Sequence, residues 1–492
     1  MVLGAAYELS TRILPPEYYT HAAITTIAGI VTYAFAQGRT TNRERNLHAR
    51  IILVTGGFTP LGLTLITSLA SRGAHIIALS DYPLTENSIP SLLIPVLRAA
   101  TKNEQIYAEY ADLSSSESIR AFCTKFLTGE DHRLDAIVFA HEYRGIGTLF
   151  RRESQENTEW RDVASLATFL ITTLLLPKLL VAPIERDIRI VNVINPFYAA
   201  SAPLFPSKLT TILTSGNTHR QNDPLFLAEG FRALRTAIFT RHLQRVLNAL
   251  PNGAPGPDES KNKPPGPQLI KPPKMSNIIA VTAAPGISRV ETISPMFGAD
   301  RESGAESFSL FGMLLYMFLY PVIFLLAKSS KTAEQSILHV LFLPTPFKRA
   351  LAQVNSVADG SAPASAATPS PESYAYEEVL KPGGLYRECA VVNLKVPSLP
   401  PPPESAKPKD EKRGKGKGKQ EDEFVVIEDD GEFGGESLGR MVWEWYETRL
   451  KDWETKDKAR VEALKKEAER QKAAEGKQKL ASTHTDSGTS TL

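Results

Sequence analysis

The sequence predicts an α/β protein: a single domain built on a doubly wound parallel sheet, with disordered insertions and an extended C-terminal helix. Five short apolar runs rich in β-branched residues recur along the chain, and each precedes a turn signal or a helical segment. The runs are apolar throughout, which is typical of strands covered on both faces in a parallel sheet. Their alternation with helical segments indicates helices on both faces. The predicted strands are residues 51–55, 75–80, 136–140, 188–194 and 277–283.

Composition restricts the class of protein before any motif is considered. The 492 residues include 56 Lys and Arg against 54 Asp and Glu, which gives a net charge of +2. Because a dedicated nucleic-acid binder is strongly basic, this balance predicts no nucleic-acid partner. The two cysteines, Cys123 and Cys389, exclude a disulfide framework. The nine histidines show no paired spacing, so we expect no metal site.

A charge-free segment, 18–38, follows the N-terminal tail 1–17 and predicts a membrane anchor. Its length is just sufficient for a hydrocarbon core about 30 Å thick. The basic residues come after it, beginning at Arg39, which is the reverse of a secretory signal and predicts a domain on the cytosolic side. The alternative is an amphipathic leader helix packed on the domain.

A second charge-free segment, 307–327, ends at Lys328 and contains Pro321. If it crossed a membrane, the rest of the domain would lie on the opposite side from the sheet. We therefore expect a helix that lies in the membrane interface or covers a lipid-shaped site. A true membrane span and a plain core helix remain the alternatives.

Three segments rich in Pro, Gly, Ser or charge are predicted to be disordered: 251–274, 356–373 and the linker 396–435. The basic run 412–419 within the linker is interpreted as a solvated segment, because an acidic run follows it. These segments interrupt the domain, which otherwise extends over 50–395.

Residues 438–479 predict a C-terminal helix, followed by a disordered tail, 480–492. The first part of the helix has apolar residues at helical spacing and predicts packing on the domain. The second part is charged nearly all round, without clean heptads, and predicts a projecting helix. A protein partner is expected to bind, if anywhere, along this helix.

The first predicted strand ends in a Gly-rich turn, TGGFTPLGL (55–63), at the entrance to a helix. Such a turn lets the backbone approach a pyrophosphate that lies at the helix N-terminus. Together with HIIALSD (75–81) and DLSSSESIRAF (112–122), it resembles the short-chain dehydrogenase/reductase family, in particular its retinol-dehydrogenase-like members. The other segments that carry the likeness are FLITTLLLPKLL (169–180), AIFTRHLQR (237–245), APGISRVET (284–292), the apolar region 314–344, GGLYRECAVV (383–392) and GRMVWEWYETRL (439–450). The resemblance implies a Rossmann-like domain and an association with membranes and lipid metabolism.

The family's TGxxxGxG loop corresponds to Thr55, Gly56, Pro60 and Gly62 of this chain. Proline stands where the family has its middle glycine, and it lacks an N–H and carries a ring. The resemblance therefore implies that NAD(H) binding is possible but weak.

Four further positions are implied in cofactor binding by the resemblance. Asp81, at the end of the second strand, would accept hydrogen bonds from ribose hydroxyls and repel a 2′-phosphate, which favours NAD(H) over NADP(H). The alternative for Asp81 is a turn or helix-capping residue. Asp112 corresponds to a residue near the adenine, and Pro285 with Gly286 corresponds to the family segment after the sixth strand.

The family's hydride transfer uses a Tyr and a Lys spaced Y-x-x-x-K, a Ser and an Asn. No Y-x-x-x-K occurs in this sequence. The corresponding positions hold Glu229 for Tyr, Ala233 for Lys, Asn195 for Ser and Ala164 for Asn, and the family's N-N-A-G segment corresponds to 139–142. A carboxylate and a methyl group cannot replace a phenol and its ammonium partner, so the sequence predicts a degenerate catalytic site.

Three functions of different class remain open. The first is a membrane-bound scaffold or a nucleotide or lipid sensor without catalysis. The second is an NAD-dependent oxidoreductase on a lipid or other apolar alcohol or ketone, with Tyr198, Lys208 and His141 as substitutes for the missing groups. The third is a structural subunit of a membrane complex. The resemblance favours the endoplasmic reticulum or lipid droplets, with the mitochondrial outer membrane as the alternative.

Overall fold

The computed structural model describes residues 16–85, 88–129, 133–144, 146–149, 155–183, 186–215, 223–250, 276–300, 308–346, 378–399 and 429–485. The predicted insertions 251–274 and 356–373 lie outside the described residues, as does the linker between 400 and 428. All statements below concern the described residues.

One eight-stranded sheet forms the centre of the fold, in the order β3-β2-β1-β4-β5-β6-β7-β8. The strands are β1 Ile51–Thr55, β2 His75–Ser80, β3 Ile106–Tyr110, β4 Ala136–Phe139, β5 Ile188–Val193, β6 Ile278–Ala284, β7 Leu385–Arg387 and β8 Ala390–Val392. Neighbouring strands are parallel from β3 to β7, and only β8 runs antiparallel to its neighbour. The chain reverses direction across the sheet between β1 and β4, where open sheets of this kind bind ligands. The predicted doubly wound parallel sheet is confirmed.

The helices cover both faces of this sheet. They are α1 Tyr19–Gln37, α2 Pro60–Ala70, α3 Ile89–Thr101, α4 Ser116–Thr128, α5 Gln155–Leu180, α6 Phe205–Ser215, α7 Leu225–Ala249, α8 Leu310–Leu326, α9 Ser330–Phe342 and α10 Gly435–Thr485. The core on one face is built from α4, α5, α6, α7 and α10, and the core on the other from α2, α3 and α9. A core on each face explains why the central strands are apolar throughout.

Two edges of the sheet differ from the sequence prediction. The strand Ile106–Tyr110 was not predicted, because it lies at the sheet edge and lacks the continuous buried apolar run of the central strands: Ile106 is buried, whereas Tyr107 and Tyr110 are exposed. The segment 383–392, for which the resemblance implies the family's closing strand, forms the hairpin of β7 and β8. Its turn residues Glu388 and Cys389 have positive φ angles of 51° and 59°.

The C-terminal helix is an integral part of the core over its first half. Its side chains Trp445 and Tyr446 are buried, and the Tyr446 ring stacks on Phe169 of α5 with centroids 5.1 Å apart. Further along, Asp457 accepts hydrogen bonds from the Ser116 backbone N–H (2.7 Å) and the Ser115 hydroxyl (3.0 Å). The helix continues to Thr485, so residues 480–485, expected in the tail, are helical instead.

His242 of α7 lies directly under this C-terminal helix. It is buried, and a Cβ built on Gly439 of α10 would lie 2.6 Å from its Nδ1 atom. Burial, followed by the positive charge of Arg245, lowers the pKa of His242 to about 4; Glu436 opposes this shift and Arg440 adds to it. The folded protein therefore keeps this imidazole neutral where an unfolded chain would protonate it.

This difference predicts a pH dependence of stability. Between pH about 6.5 and about 4 the unfolded state binds the extra proton, so the free energy of unfolding falls as the pH falls through that window. At about 1.4 kcal/mol per pKa unit the loss is about 3 kcal/mol. The loss is measured by urea unfolding of the wild type and of His242→Asn at pH 7, 5.5 and 4.5. Equal pH slopes for the two proteins would contradict the prediction.

Both predicted membrane segments are helical and pack against each other. Helix α1 lies within the segment 18–38 and has no buried residue, and helix α8 lies within 307–327 and has only Gly312 and Ile323 buried. The Tyr33 and Phe324 rings stack with centroids 5.6 Å apart. We call α1 and α8 together the apolar helix pair.

By length and composition, one described helix segment, Glu159–Leu180, is long and apolar enough to cross a membrane. It belongs to α5 and packs within the core on one face of the sheet. The helix α8 has 17 residues and is therefore about 26 Å long, slightly less than a hydrocarbon core.

Candidate functional site

The Gly-rich turn joins β1 to α2 at the point where the chain reverses direction across the sheet. A Cβ built on Gly62 would lie 2.1 Å from the Gly56 carbonyl oxygen, so the start of the helix packs directly on the turn. Gly56 has φ +66°, and its own Cβ would lie 2.9 Å from the His141 backbone. Both glycines are therefore required by close backbone approach, as a nucleotide-binding turn requires.

The N-terminus of α2 is where a pyrophosphate would lie, and it holds a side chain of this chain instead. The Leu61 N–H donates to Oε1 of Glu291 at 2.5 Å. The other carboxylate oxygen accepts from the Ser288 hydroxyl at 2.5 Å, and Glu291 is only 1% exposed. A pyrophosphate and this carboxylate would compete for the same donor, so the turn as built does not fit a dinucleotide.

Asp81 and Asp112 lie close to each other beyond β2 and β3. Asp81 is exposed as a residue, but protein atoms crowd its carboxyl group and raise its pKa; His141 opposes the rise and Asp112 adds to it. Asp112 accepts hydrogen bonds from the backbone N–H (2.8 Å) and hydroxyl (2.7 Å) of Ser114, an arrangement that forms a turn. The structure brings both predicted adenosine-side residues together and gives Asp112 a structural contact.

The segment after β6 accepts hydrogen bonds from two side chains. The carbonyl oxygen of Gly286, whose φ is +102°, accepts from the Tyr143 hydroxyl at 2.7 Å. The Pro285 carbonyl oxygen accepts from Nζ of Lys328 at 3.2 Å. Burial, followed by the charge of Glu291, raises the pKa of Tyr143, so the phenol stays protonated and its hydroxyl donates to Gly286.

A narrow cavity of about 20 Å³, partly open to solvent, lies beyond β4 and β5. Its lining residues are Glu142, Arg144, Trp160, Arg161, Ala164, Ile194, Asn195, Glu229, Arg232 and Ala233. The four positions that correspond to the family's catalytic residues, Ala164, Asn195, Glu229 and Ala233, all line this one cavity.

Glu229 is the centre of a buried charge cluster in the cavity wall. Its residue is 2% exposed. Oε1 accepts from Arg161 Nη1 at 2.6 Å and from the Gly147 N–H at 3.2 Å, and Oε2 accepts from Arg232 Nη1 at 2.9 Å. The Asn195 side-chain amide donates to the Glu229 carbonyl oxygen at 3.2 Å. Both carboxylate oxygens are therefore held by guanidinium groups.

The two arginines remain charged at neutral pH. Burial lowers the pKa of Arg161 to about 10, and Glu229 opposes that shift. Burial also acts to lower the pKa of Arg232, but Glu229 and then Asp162 outweigh it, so the net direction is upward. The cluster is a charge-assisted network without a phenol or an amine that could exchange a proton.

The proposed substitutes for the catalytic groups do not meet in this cavity. His141 is held between the Thr55 hydroxyl (2.7 Å) and the Ala164 carbonyl oxygen (2.9 Å). Lys208 pairs with Asp223 at 2.5 Å. Tyr198 is buried in the core, and neither Tyr198 nor Lys208 is among the described residues that line the cavity.

Sequence reasoning missed Glu291, Arg161 and Arg232. The signal for Arg232 was its spacing of three residues from the mapped Glu229, which places the two side chains on the same face of a helix. The signal for Glu291 was an acidic residue in the segment 284–292, which follows a central parallel strand. A segment in that place lies at the same edge of the sheet as the nucleotide turn, so its side chains can reach the turn. Among the described residues, no group of three or more potential metal ligands occurs.

Comparison with known proteins supports the sequence resemblance. No family model matches the chain. It is 26% identical over 330 residues to the uncharacterized oxidoreductase pbr1 of Schizosaccharomyces pombe, which covers 66% of this chain and 78% of that protein. An uncharacterized oxidoreductase of Saccharomyces cerevisiae is 26% identical over 329 residues, or 64% of this chain and 73% of that protein. Human retinol dehydrogenase 12 is 30% identical over 161 residues, or 32% of this chain and 47% of that protein.

Among solved structures, the oxidoreductase yciK of Escherichia coli matches with a TM-score of 0.37 and 16% identity, covering 59% of this chain and 97% of that one. The sequence matches and the segments described above support the short-chain dehydrogenase/reductase family, and the similarity to retinol dehydrogenases supports its retinol-dehydrogenase-like branch.

Proposed function

We propose that this chain is a catalytically inactive family member that acts at a membrane as a scaffold or a lipid sensor. The contact of Glu291 with the Leu61 N–H argues against the nucleotide sensor that the sequence left open. The observation that carries this proposal is Glu229, buried between Arg161 and Arg232 at the position of the family's catalytic phenol. General acid–base catalysis needs a group with a proton to exchange, placed within hydrogen-bond reach of the substrate. A carboxylate whose two oxygens both accept hydrogen bonds from guanidinium groups is not such a proton-exchanging group.

Turnover measurements test the catalytic part. The purified full-length chain in detergent is incubated with NADH or NADPH and either all-trans-retinal or a steroid ketone, and oxidation of the nicotinamide is followed by absorbance. We expect no rate above that of the Glu229→Gln variant, which keeps the shape of the side chain but not its charge. A wild-type rate of ordinary enzymatic size, lost in a variant of the cavity wall, would contradict the proposal.

The apolar helix pair supports membrane lipid as the partner. Phe35 of α1 is 82% exposed and Phe318 of α8 is 81% exposed, and other large apolar side chains accompany them. They are Ile24, Ile27, Ile30, Val31, Leu310, Phe311, Leu314 and Met317. A contiguous exposed apolar surface of this kind typically marks a membrane or protein contact. Arg39, exposed just after α1, adds a positive charge that favours an anionic membrane surface.

Replacing the two most exposed of these side chains is expected to release the protein from lipid. An Asp at the centre of a bilayer costs about 2.5–3.5 kcal/mol, and about 1.4 kcal/mol is tenfold in affinity. The double variant Phe35→Asp, Phe318→Asp should therefore lose at least about tenfold in binding to phosphatidylcholine vesicles containing phosphatidylserine, measured by flotation. Val181→Asp is the matched control, because Val181 is 84% exposed but lies outside the helix pair. Equal flotation of all three proteins would contradict the lipid proposal.

On this proposal the domain lies on the cytosolic side of the membrane. The endoplasmic reticulum or lipid droplets are preferred over the mitochondrial outer membrane. Two other functions remain candidates. The names of the relatives, which are oxidoreductases and retinol dehydrogenases, favour an NAD-dependent oxidoreductase on an apolar alcohol or ketone. The outer part of α10, where Glu462 and Lys466 are exposed, favours a structural subunit that binds a protein partner.

A further inference from the structure

We infer that the carboxylate of Glu291 is a built-in substitute for the dinucleotide pyrophosphate, so that the chain keeps its nucleotide turn ordered without binding NAD(H). The inference concerns cofactor binding alone and goes beyond the proposed loss of catalysis. It gives the weak binding expected from Pro60 a second and separate cause. The N–H groups at the first turn of α2 carry this inference.

The first helical N–H groups of α2 are all accounted for within the chain. Pro60 has none, and the Gly62 N–H donates to the Thr59 hydroxyl at 3.1 Å. The Leu63 N–H donates to the Thr59 carbonyl oxygen at 2.8 Å. The Leu61 N–H donates to Glu291. Because these are the groups that bind an anion at a helix N-terminus, the anion position is already filled.

The filling group is itself a carboxylate and is held in place. Ser288 is fully buried, and its hydroxyl donates to Glu291 Oε2. The same hydroxyl oxygen accepts from the Glu291 backbone N–H at 3.1 Å. Next to it, the Thr292 hydroxyl oxygen accepts from the Ser288 backbone N–H at 3.2 Å. The side chain is therefore fixed by the turn 288–292 and cannot leave without moving that turn.

Electrostatic repulsion disfavours pyrophosphate binding more strongly than competition for one hydrogen bond would. The N-terminus of a helix carries a partial positive charge that stabilises one nearby anion. The Glu291 carboxylate is already the anion next to this partial positive charge, and it lies in a buried site. A pyrophosphate at the same position would face a buried like charge at short range, where screening is weak.

Nicotinamide-cofactor binding to the full-length protein tests the inference. NADH binding is measured by titration calorimetry and by its fluorescence, without any substrate, for the wild type, Glu291→Ala and Pro60→Gly. We expect no saturable binding up to 1 mM for the wild type, a roughly tenfold or greater gain for Glu291→Ala, and no gain for Pro60→Gly alone, since that change leaves the carboxylate in place.

The matched control is Glu334→Ala, because Glu334 is also a buried acid that accepts from a hydroxyl, that of Ser68 at 2.9 Å, and it lies outside the turn. This control should bind no better than the wild type. Should Glu291→Ala fail to fold, Glu291→Gln removes the charge while its oxygen still accepts from Leu61, and a smaller gain is expected.

Two results would overturn the inference. One is micromolar NADH binding by the wild type. The other is a folded Glu291 variant that gains nothing. Neither result bears on catalysis: tight NADH binding without turnover would leave the proposed function intact, whereas turnover of a lipid ketone would overturn the proposed function by itself.

Discussion

Replacing Glu229 with alanine is expected to lower the free energy of unfolding by about 3–5 kcal/mol, because two buried guanidinium groups lose the carboxylate that binds both of them. The variant would leave Arg161, at 2.6 Å, and Arg232, at 2.9 Å, without the carboxylate between them. Domains of ordinary stability have about 5–15 kcal/mol in total, so the loss would bring this one close to unfolding. Urea unfolding followed by circular dichroism measures it.

Two further variants make this experiment decisive. Glu229→Gln keeps the volume and the acceptor oxygen but not the charge, so its loss should be intermediate. Glu159→Ala removes an exposed carboxylate from the same region, and its effect should lie within about 0.5 kcal/mol. A loss below about 1 kcal/mol for Glu229→Ala would show that the arginines find other partners and that the cluster does not depend on this carboxylate.

The same cluster explains why the family's catalytic residues cannot simply be restored. Glu229→Tyr would place a phenol between two buried guanidinium groups and remove the carboxylate that binds both of them. Ala233→Lys would add an ammonium group at a residue that is only 3% exposed. The combined variant with Asn195→Ser is therefore expected to lose its fold rather than gain activity.

The second large effect is expected from Gly62→Ala, which should destabilise the protein by about 3 kcal/mol or more, the upper end of overpacking costs. The added Cβ would lie 2.1 Å from the Gly56 carbonyl oxygen and 2.7 Å from the Gly57 backbone. These neighbours are main-chain atoms of the turn, so no side-chain rotation relieves the overlap. Helix α2 would have to move away from β1 and disturb the core between them.

Gly29→Ala is the matched control for this substitution. Gly29 lies in the exposed helix α1, and no atom is found within 4 Å of a Cβ built on it. Removing a helical glycine there should stabilise the helix by about 0.5–1 kcal/mol. Thermal unfolding of both variants compares the two effects, which have opposite signs. A melting temperature of Gly62→Ala equal to that of the wild type would mean that the turn is not packed as described. A bulkier residue at this position, such as Trp, would unfold the domain rather than merely block the nucleotide turn.

Much of the fold could be predicted from the sequence because the central strands are buried on both faces. The strands at 51–55 and 75–80 agree with the structure residue for residue, and the other three differ by a residue at one or both ends. The edge strand Ile106–Tyr110 escaped prediction, because it is only partly buried and its sequence, IYAEY, is not a continuous apolar run. The hairpin turn at Glu388 and Cys389 escaped because neither residue type favours a positive φ angle.

The position of the candidate site could be predicted from the sequence, but the contacts of its charged side chains could not. The departures from the family at Glu229 and Ala233 could be read directly from the missing Y-x-x-x-K. The partners of Glu229 could not, since Arg161 lies 68 residues away and nothing in its local sequence indicates burial. Glu291 was hidden in the same way, because its contact with Leu61 joins positions 230 residues apart. Contacts between distant residues depend on the packing of the whole sheet, and local patterns do not carry them.

The late position of helix α10 in the chain has a consequence for biosynthesis. Tyr446 completes the aromatic packing on Phe169, and it lies 3.4 Å from the Thr236 hydroxyl although 210 residues separate them in the chain. At about 5–20 residues per second, the ribosome needs on the order of 10–40 s to make the intervening segment. During that time the nascent chain presents an uncovered aromatic surface, which is the kind of surface that chaperones bind. Chains that stop before Trp445 keep that surface uncovered and are expected to aggregate or to be degraded.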